Sequence, residues 1–230
     1  MSGANLAKAP VQAASLTLLR GAALVASPWK NGGGVTREIA VAPMATQAAA
    51  SLDTFAWRVS VADVAQAGPF SRFEGVDRTL VLLEGAGMLL DEAGSTHALT
   101  QPLDVARFAG EAAIDARLVN GATRDFNLMV RRDAARGTLE VWRENARHSL
   151  RAQTVLLYCA QGEQDVHIDG DRHVRLEAGD TLRIDTPDAQ CPLHIETRGA
   201  GALLAVALDV LDAPGQNTTD TASRDAVRTS

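Results

Sequence analysis

The sequence predicts an all-β protein built as two tandem jelly-roll barrels in one compact chain. Three observations carry that prediction. Short apolar runs alternate with turn residues over positions 16–211. The clearest, Phe55-Ala-Trp57-Arg-Val59-Ser-Val61, has the period of two that sends successive side chains to opposite faces of a strand. Helical spacing is scarce, and residues 61–67 and 133–136 are each expected to supply a single helical turn. The chain also matches itself when slid by 76 residues: Leu80-Val-Leu-Leu83 falls on Leu156-Leu-Tyr-Cys159, Gly94 on Gly170, His97 on His173, Asp104 on Asp180, Arg107 on Arg183 and Phe108 on Ile184. Each copy reads as an apolar strand, a turn, a strand carrying Gly and His, and a strand opened by Asp. Two all-β units of that grammar suggest paired jelly rolls.

Taken in order, residues 1–14 are expected as a disordered extension, 15–135 as an N-terminal barrel holding a ligand pocket, 136–212 as a C-terminal barrel and 213–230 as a disordered polar tail. Order is expected to begin at Leu16-Thr-Leu-Leu-Arg20. Residues 36–42 alternate imperfectly, with Val35, Ile39 and Val41 on one face and Arg37 interrupting them. Residues 43–53, rich in Ala, Ser and Thr, read as a loop. In the strand that follows, Phe55, Trp57, Val59 and Val61 point one way, Arg58 and Ser60 the other. Gly68-Pro-Phe-Ser-Arg-Phe-Glu-Gly75 is a turn-rich loop with two aromatics, and it runs into Asp77-Arg78 and a strand over 79–83.

Composition narrows the function classes. A chain of 230 residues that is 46% hydrophobic can bury a full core, and a net charge of −6 with no basic run argues against nucleic acid as a partner. Cys159 and Cys191 lie far apart in no CxxC arrangement, which fits a reducing compartment and two unpaired thiols. No signal-peptide core is visible, and no run approaches the ~20 apolar residues of a membrane span. A cytoplasmic location is the resulting expectation.

The stretch Pro28-Trp29-Lys30-Asn31-Gly32-Gly33-Gly34-Val35-Thr36-Arg37-Glu38 stands out. Three consecutive glycines are costly to order, so the backbone there must take φ > 0 or pass close to something. With Lys30 and Arg37 beside them, exposed N–H groups would form an anion-binding nest; a flexible loop between two strands is the other reading. The spacing does not fit a Walker-type phosphate loop.

These residues carry a resemblance. A Gly-Asp turn entering a strand after a short hairpin (Gly179-Asp180) resembles the cupin superfamily, and its doubling resembles bicupins. More specifically, the glycine stretch, Trp57-Arg58-Val-Ser60, Gly68-Pro-Phe-Ser71, Gly75-Val-Asp-Arg78-Thr-Leu and Asp125-Phe-Asn-Leu-Met-Val-Arg-Arg132 together resemble the HutD/Ves family, in order, across residues 16–209. Glu74 stands where that family's pattern leads one to expect Pro. The resemblance implies a bicupin associated with histidine utilisation that senses or limits flux by binding a small acidic metabolite, urocanate or N-formylglutamate.

Metal is not expected. A cupin metal site needs two His two residues apart, and no two of His97, His148, His167, His173 and His194 are so placed. No nucleophile elbow is present, and Cys159 sits in an apolar run that would raise its pKa. No cofactor is implied. Binding of a small carboxylate is better supported, because guanidinium groups pair carboxylates through two parallel hydrogen bonds. The candidate ligand-binding residues are Trp29, Lys30, Asn31, Gly32, Gly33, Thr36, Arg37, Trp57, Arg58, Ser60, Phe70, Phe73, Arg78, Asp125 and Asn127. Trp57 shares a face with Phe55 and Val59 and reads more readily as core than as pocket, and alternation leaves open whether Arg58, Asp125 and Asn127 face a lumen or water. The alternative function is a metal-independent isomerase or hydrolase of a small acid, needing a base with an orienting partner. Only His97 lies near the motif-rich half, and no orienter is evident beside it, which favours binding. Pairing of barrel edges into a homodimer is compatible with the sequence.

Overall fold

The computed structural model describes residues 13–44 and 54–212. The expected extension before residue 13, most of the 43–53 loop and the tail beyond 212 lie outside the described residues. The chain runs as β1 (Ser15–Leu19), a 3-10 turn (Gly21–Ala23), β2 (Ala26–Pro28), β3 (Gly34–Pro43), β4 (Phe55–Val64), β5 (Gly68–Pro69), β6 (Val76–Glu84), β7 (Met88–Glu92), β8 (Ser95–Leu99) and β9 (Val105–Ala109). It continues as β10 (Ile114–Leu118), β11 (Thr123–Arg131), β12 (Ala135–Trp142), β13 (Arg147–Leu150), β14 (Thr154–Ile168), β15 (Arg172–Glu177), β16 (Thr181–Asp185) and β17 (Leu193–Val210). The protein is all-β, as the alternation predicts. The helical turns expected at 61–67 and 133–136 are absent: Val64 is still in β4 and Ala135 opens β12. Among the described residues no helix is long and apolar enough to cross a membrane.

Two jelly-roll units are formed. The first faces a six-stranded sheet, β2-β3-β4-β11-β6-β9, against a four-stranded one, β5-β10-β7-β8. Its lumen is filled by Leu80, Leu82, Met88, Leu90, Leu99 and Phe108. The second is one seven-stranded sheet folded over itself. The long strands β14 and β17 bend where their register shifts between Cys159 and Gln161, so each contributes to both walls. Glycine is required at that corner: Gly162 has φ +65°, and a Cβ there would sit 2.0 Å from the Ala200 carbonyl oxygen. Leu157, Cys159, Ile168, Leu176 and Leu182 fill the second lumen.

The boundary at 135 needs one correction. β1, expected in the first barrel, pairs antiparallel with β16 at the edge of the second sheet. Asp180 fastens it there, accepting hydrogen bonds from Arg20 Nη1 at 2.6 Å and the Gly21 N–H at 3.1 Å.

The units pack back to back. Trp57, Val59, Val61, Phe126 and Leu128 from the six-stranded sheet meet Leu156, Tyr158, Leu204, Val206 and Leu208 in one apolar layer. The Phe126 and Tyr158 rings lie 5.1 Å apart, and Arg183 stands over Trp57 at 5.8 Å. Phe55 leaves this face and packs with Val76 and Met129. A second irregularity, between Glu38 and Ala40, breaks the face proposed for Val35, Ile39 and Val41. The internal repeat is also refined. Thr79 pairs with Arg107 in the first unit and Leu156 with Arg183 in the second, so β9 maps to β16 at 76 residues while β6 maps to β14 at 77. A uniform slide of 76 overlays lumen-facing Leu80 on Leu156, which belongs to the layer between the units.

Candidate functional site

The register of the six-stranded sheet places the polar residues of its concave face in rows. Phe108, Arg78, Met129, Arg58 and Val41 form one row across β9, β6, β11, β4 and β3. Leu80, Asn127, Ser60 and Glu38 form the next, and Leu82, Asp125, Ala62 and Thr36 the third. Alternation could not choose between lumen and water for Arg58, Asp125 and Asn127, because the opposite face of β4 and β11 is equally buried against the second unit. The structure places all three on the lumen face.

Arg78 is the centre of this arrangement. Only 8% of it is exposed. Its guanidinium carbon lies 5.0 Å from the Phe70 ring centroid, 5.1 Å from Phe108 and 5.9 Å from Phe73, within cation–π range of all three. Nη2 donates to Asn127 Oδ1 at 2.9 Å, while the buried Nε has no partner among the described residues. Burial, with Arg58 adding to it and Asp125 opposing it, pulls the Arg78 pKa down to about 10. Asn127 Nδ2 in turn donates to Asp125 Oδ1. Asp125 is 1% exposed, its Oδ2 has no partner among the described residues, and burial pushes its carboxyl up to about 7. Arg58 donates from Nε to Glu38 Oε2 at 2.8 Å. A buried cation with a donor left over, held between aromatic faces, has the chemistry to receive an anionic group.

The glycine stretch shapes the mouth. Trp29 Nε1 donates to Thr36 Oγ1 at 2.7 Å, and its ring joins the lumen cluster. Gly34 permits this, because a Cβ there would lie 3.0 Å from the indole and 2.5 Å from the Asp63 carbonyl oxygen. The anion-nest reading is corrected. The Gly32 N–H is used by the Trp29 carbonyl and the Gly33 N–H by Asn31 Oδ1, so the run is a hairpin turn between β2 and β3. Trp29, Asn31, Gly33, Gln66 and Phe70 border a solvent-open cleft of about 300 Å³. Phe70 thus stands between that cleft and Arg78.

Four further candidates fall elsewhere. Trp57 is 1% exposed in the layer between the units and walls no part of the lumen. Arg37 points to the reverse face, where it and Arg124 both bond Asp63. Lys30 and Gly32 are exposed on the turn. Sequence reasoning also passed over residues that belong to the site. Glu38 shares a face with Thr36 by the period of two, and Phe108 appears in the internal repeat. The statement that His97 has no orienter is corrected, since its Nε2 lies 3.2 Å from Glu92 Oε2 and its ring 6.2 Å from Phe108. Among the described residues, no three His, Cys, Asp or Glu side chains are grouped to hold a metal ion. Burial pushes the Cys159 thiol up to about 11, far from nucleophilic.

The fold is that of a cupin-type double jelly roll. The chain superposes on oxalate decarboxylase of Bacillus subtilis with TM-score 0.51 at 10% identity (85% and 78% of the two chains) and on the Ylba protein of E. coli with TM-score 0.56 at 11% identity (88% and 94%), a likeness of fold alone. Within that class it belongs to the HutD family, whose pattern matches residues 21–205. It is 36% identical over 183 residues to an uncharacterized 21.2 kDa protein of the hutC 3′ region of Pseudomonas putida, covering 80% of this chain and 94% of that one. It is 40% identical over 117 residues to Protein Ves of Citrobacter koseri, covering 49% and 56%. HutD from Pseudomonas fluorescens SBW25, solved in a formate condition, superposes with TM-score 0.74 at 31% identity over 86% of this chain and 100% of its own.

Proposed function

We propose that the N-terminal barrel binds a small carboxylate metabolite at Arg78, and that the protein thereby senses or limits flux through histidine utilisation. The observation that carries this reading is the buried Arg78 guanidinium, stacked among phenylalanines, with an Nε–H that meets no acceptor among the described residues. A carboxylate would satisfy that donor through a charge-assisted bond, and Trp29 and Phe70 offer flat walls to a planar acid. The hutC-region relative supports the pathway, and urocanate and N-formylglutamate are the ligands to expect.

The test is calorimetric titration of the purified protein with urocanate, N-formylglutamate, formate, histidine and glutamate, with product analysis of each mixture. Binding of one acid without turnover is expected, and Arg78→Met should weaken it at least tenfold, since a charge-assisted bond is worth ~1.5–3 kcal/mol. Equal affinity in Arg78→Met sinks the assignment. The His97–Glu92 pair favours a second reading, a metal-independent isomerase or hydrolase of a small acid. Turnover that is lost in His97→Ala would establish it.

A further inference from the structure

Among the described residues Asp125 is the most completely enclosed ionisable group on the lumen face. Its Oδ1 accepts only from Asn127 and its Oδ2 from nothing among the described residues, and its row neighbours are Leu82 and Ala62. An ionised carboxylate so poorly solvated is tolerable only beside a compensating positive charge. Arg78 provides it, one amide away through Asn127. The other charged groups around Asp125 add no comparable compensation. Arg58 on β4 is already bonded to Glu38 of β3, and Asp63, on the reverse face of β4, pushes the Asp125 carboxyl further up. The facing sheet contributes apolar Met88 and Leu90, and the His97 imidazole lies beyond Phe108.

We propose that a carboxylate arriving at Arg78 draws one proton from solution onto Asp125, so that the site takes up anion and proton together. This rests on the carboxylate-binding reading above. The charge count gives the reason. In the free protein at mildly alkaline pH, Arg78 is balanced by ionised Asp125. Once a ligand carboxylate balances Arg78, ionised Asp125 becomes an uncompensated buried charge, and the Oδ2 lone pair without a donor takes a proton. No bond is made or broken beyond that O–H. Asp125 acts through Asn127, so it is a positioning residue. The carboxyl already titrates near 7 in the empty site, where burial raises it and Arg78 pulls it back. Loss of that pull on ligand binding moves it higher.

The probe is formate, with urocanate as a second, titrated into wild type and Asp125→Asn between pH 5.5 and 9. The dissociation constant of wild type should be level below about pH 6.5 and weaken by about tenfold per pH unit above about 7.5. Calorimetry at pH 8 in phosphate and in Tris, which differ in ionisation heat, should report uptake approaching one proton. Asp125→Asn should bind as tightly at pH 8.5 as at pH 6, with no uptake. Wild-type binding without proton uptake, or a pH dependence that survives in Asp125→Asn, overturns this inference alone. Absence of binding by both probes overturns it together with the function on which it rests.

Discussion

Replacing Asp125 by Asn should stabilise the ligand-free protein, and by an amount that grows with pH. The carboxyl is 1% exposed and burial moves its pKa from the ordinary 3.8 to about 7. The native state therefore binds this proton more tightly than the unfolded chain. The associated stabilisation is complete below the unfolded value and is lost as pH rises from about 4 through about 7. A shift of that size corresponds to several kcal/mol, on the order of 4, at pH 8 and to less than half of that at pH 5. Asn has the shape of the neutral acid and keeps an oxygen for the Asn127 Nδ2 bond, but it never ionises. Urea unfolding of both proteins at pH 5, 6, 7 and 8 measures the difference directly, with the other titrating groups cancelling between them. The variant should gain on wild type at each step. A constant difference, or one that shrinks as pH rises, would refute the placement of an ionisable Asp125 in a desolvated row.

Two more substitutions separate architecture from site. Trp57→Ala should cost about 3–5 kcal/mol in urea unfolding, because it empties the layer between the units, while ligand affinity stays unchanged since the indole is on the opposite face from Arg78. Asp180→Asn should cost about 1–3 kcal/mol and speed amide exchange in β1. Burial pushes the Asp180 carboxyl up, but the Gly21 and Glu177 N–H groups and Arg20 outweigh it and hold the carboxyl below 3.8. Its contribution is thus present at neutral pH and lost as pH falls through that lowered value.

The strands were legible because alternation is a local property. Which wall a face belongs to was not, and β4 shows why. Its two faces are both buried, one in a lumen and one between units, so alternation separates Trp57 from Arg58 without telling which of the two lines the lumen. The placement of β1 was equally invisible, since nothing within Leu16-Thr-Leu-Leu records a pairing with Asp185 and its neighbours. Motif proximity located Arg78, Asn127 and Asp125, yet it also drew in Lys30 and Arg37, whose side chains leave the lumen. Phe108 and Glu92 reach the site region from β9 and β7, far from the glycine stretch in sequence, and only the sheet register brings them near.

The crossing of β1 into the distant sheet sets an order of events during synthesis. Ser15–Leu19 leaves the ribosome early, but Thr181–Asp185, against which it must lie, follows only after the whole first barrel has been made. At ~5–20 residues per second the interval is on the order of ten to thirty seconds. Over that time Leu16, Leu18 and Leu19 form a bare edge that the nascent first barrel does not cover. The two barrels are therefore not separable pieces of the gene. A cut between β11 and β12 yields a front half burdened with a strand it cannot use and a back half missing the one that closes its wall.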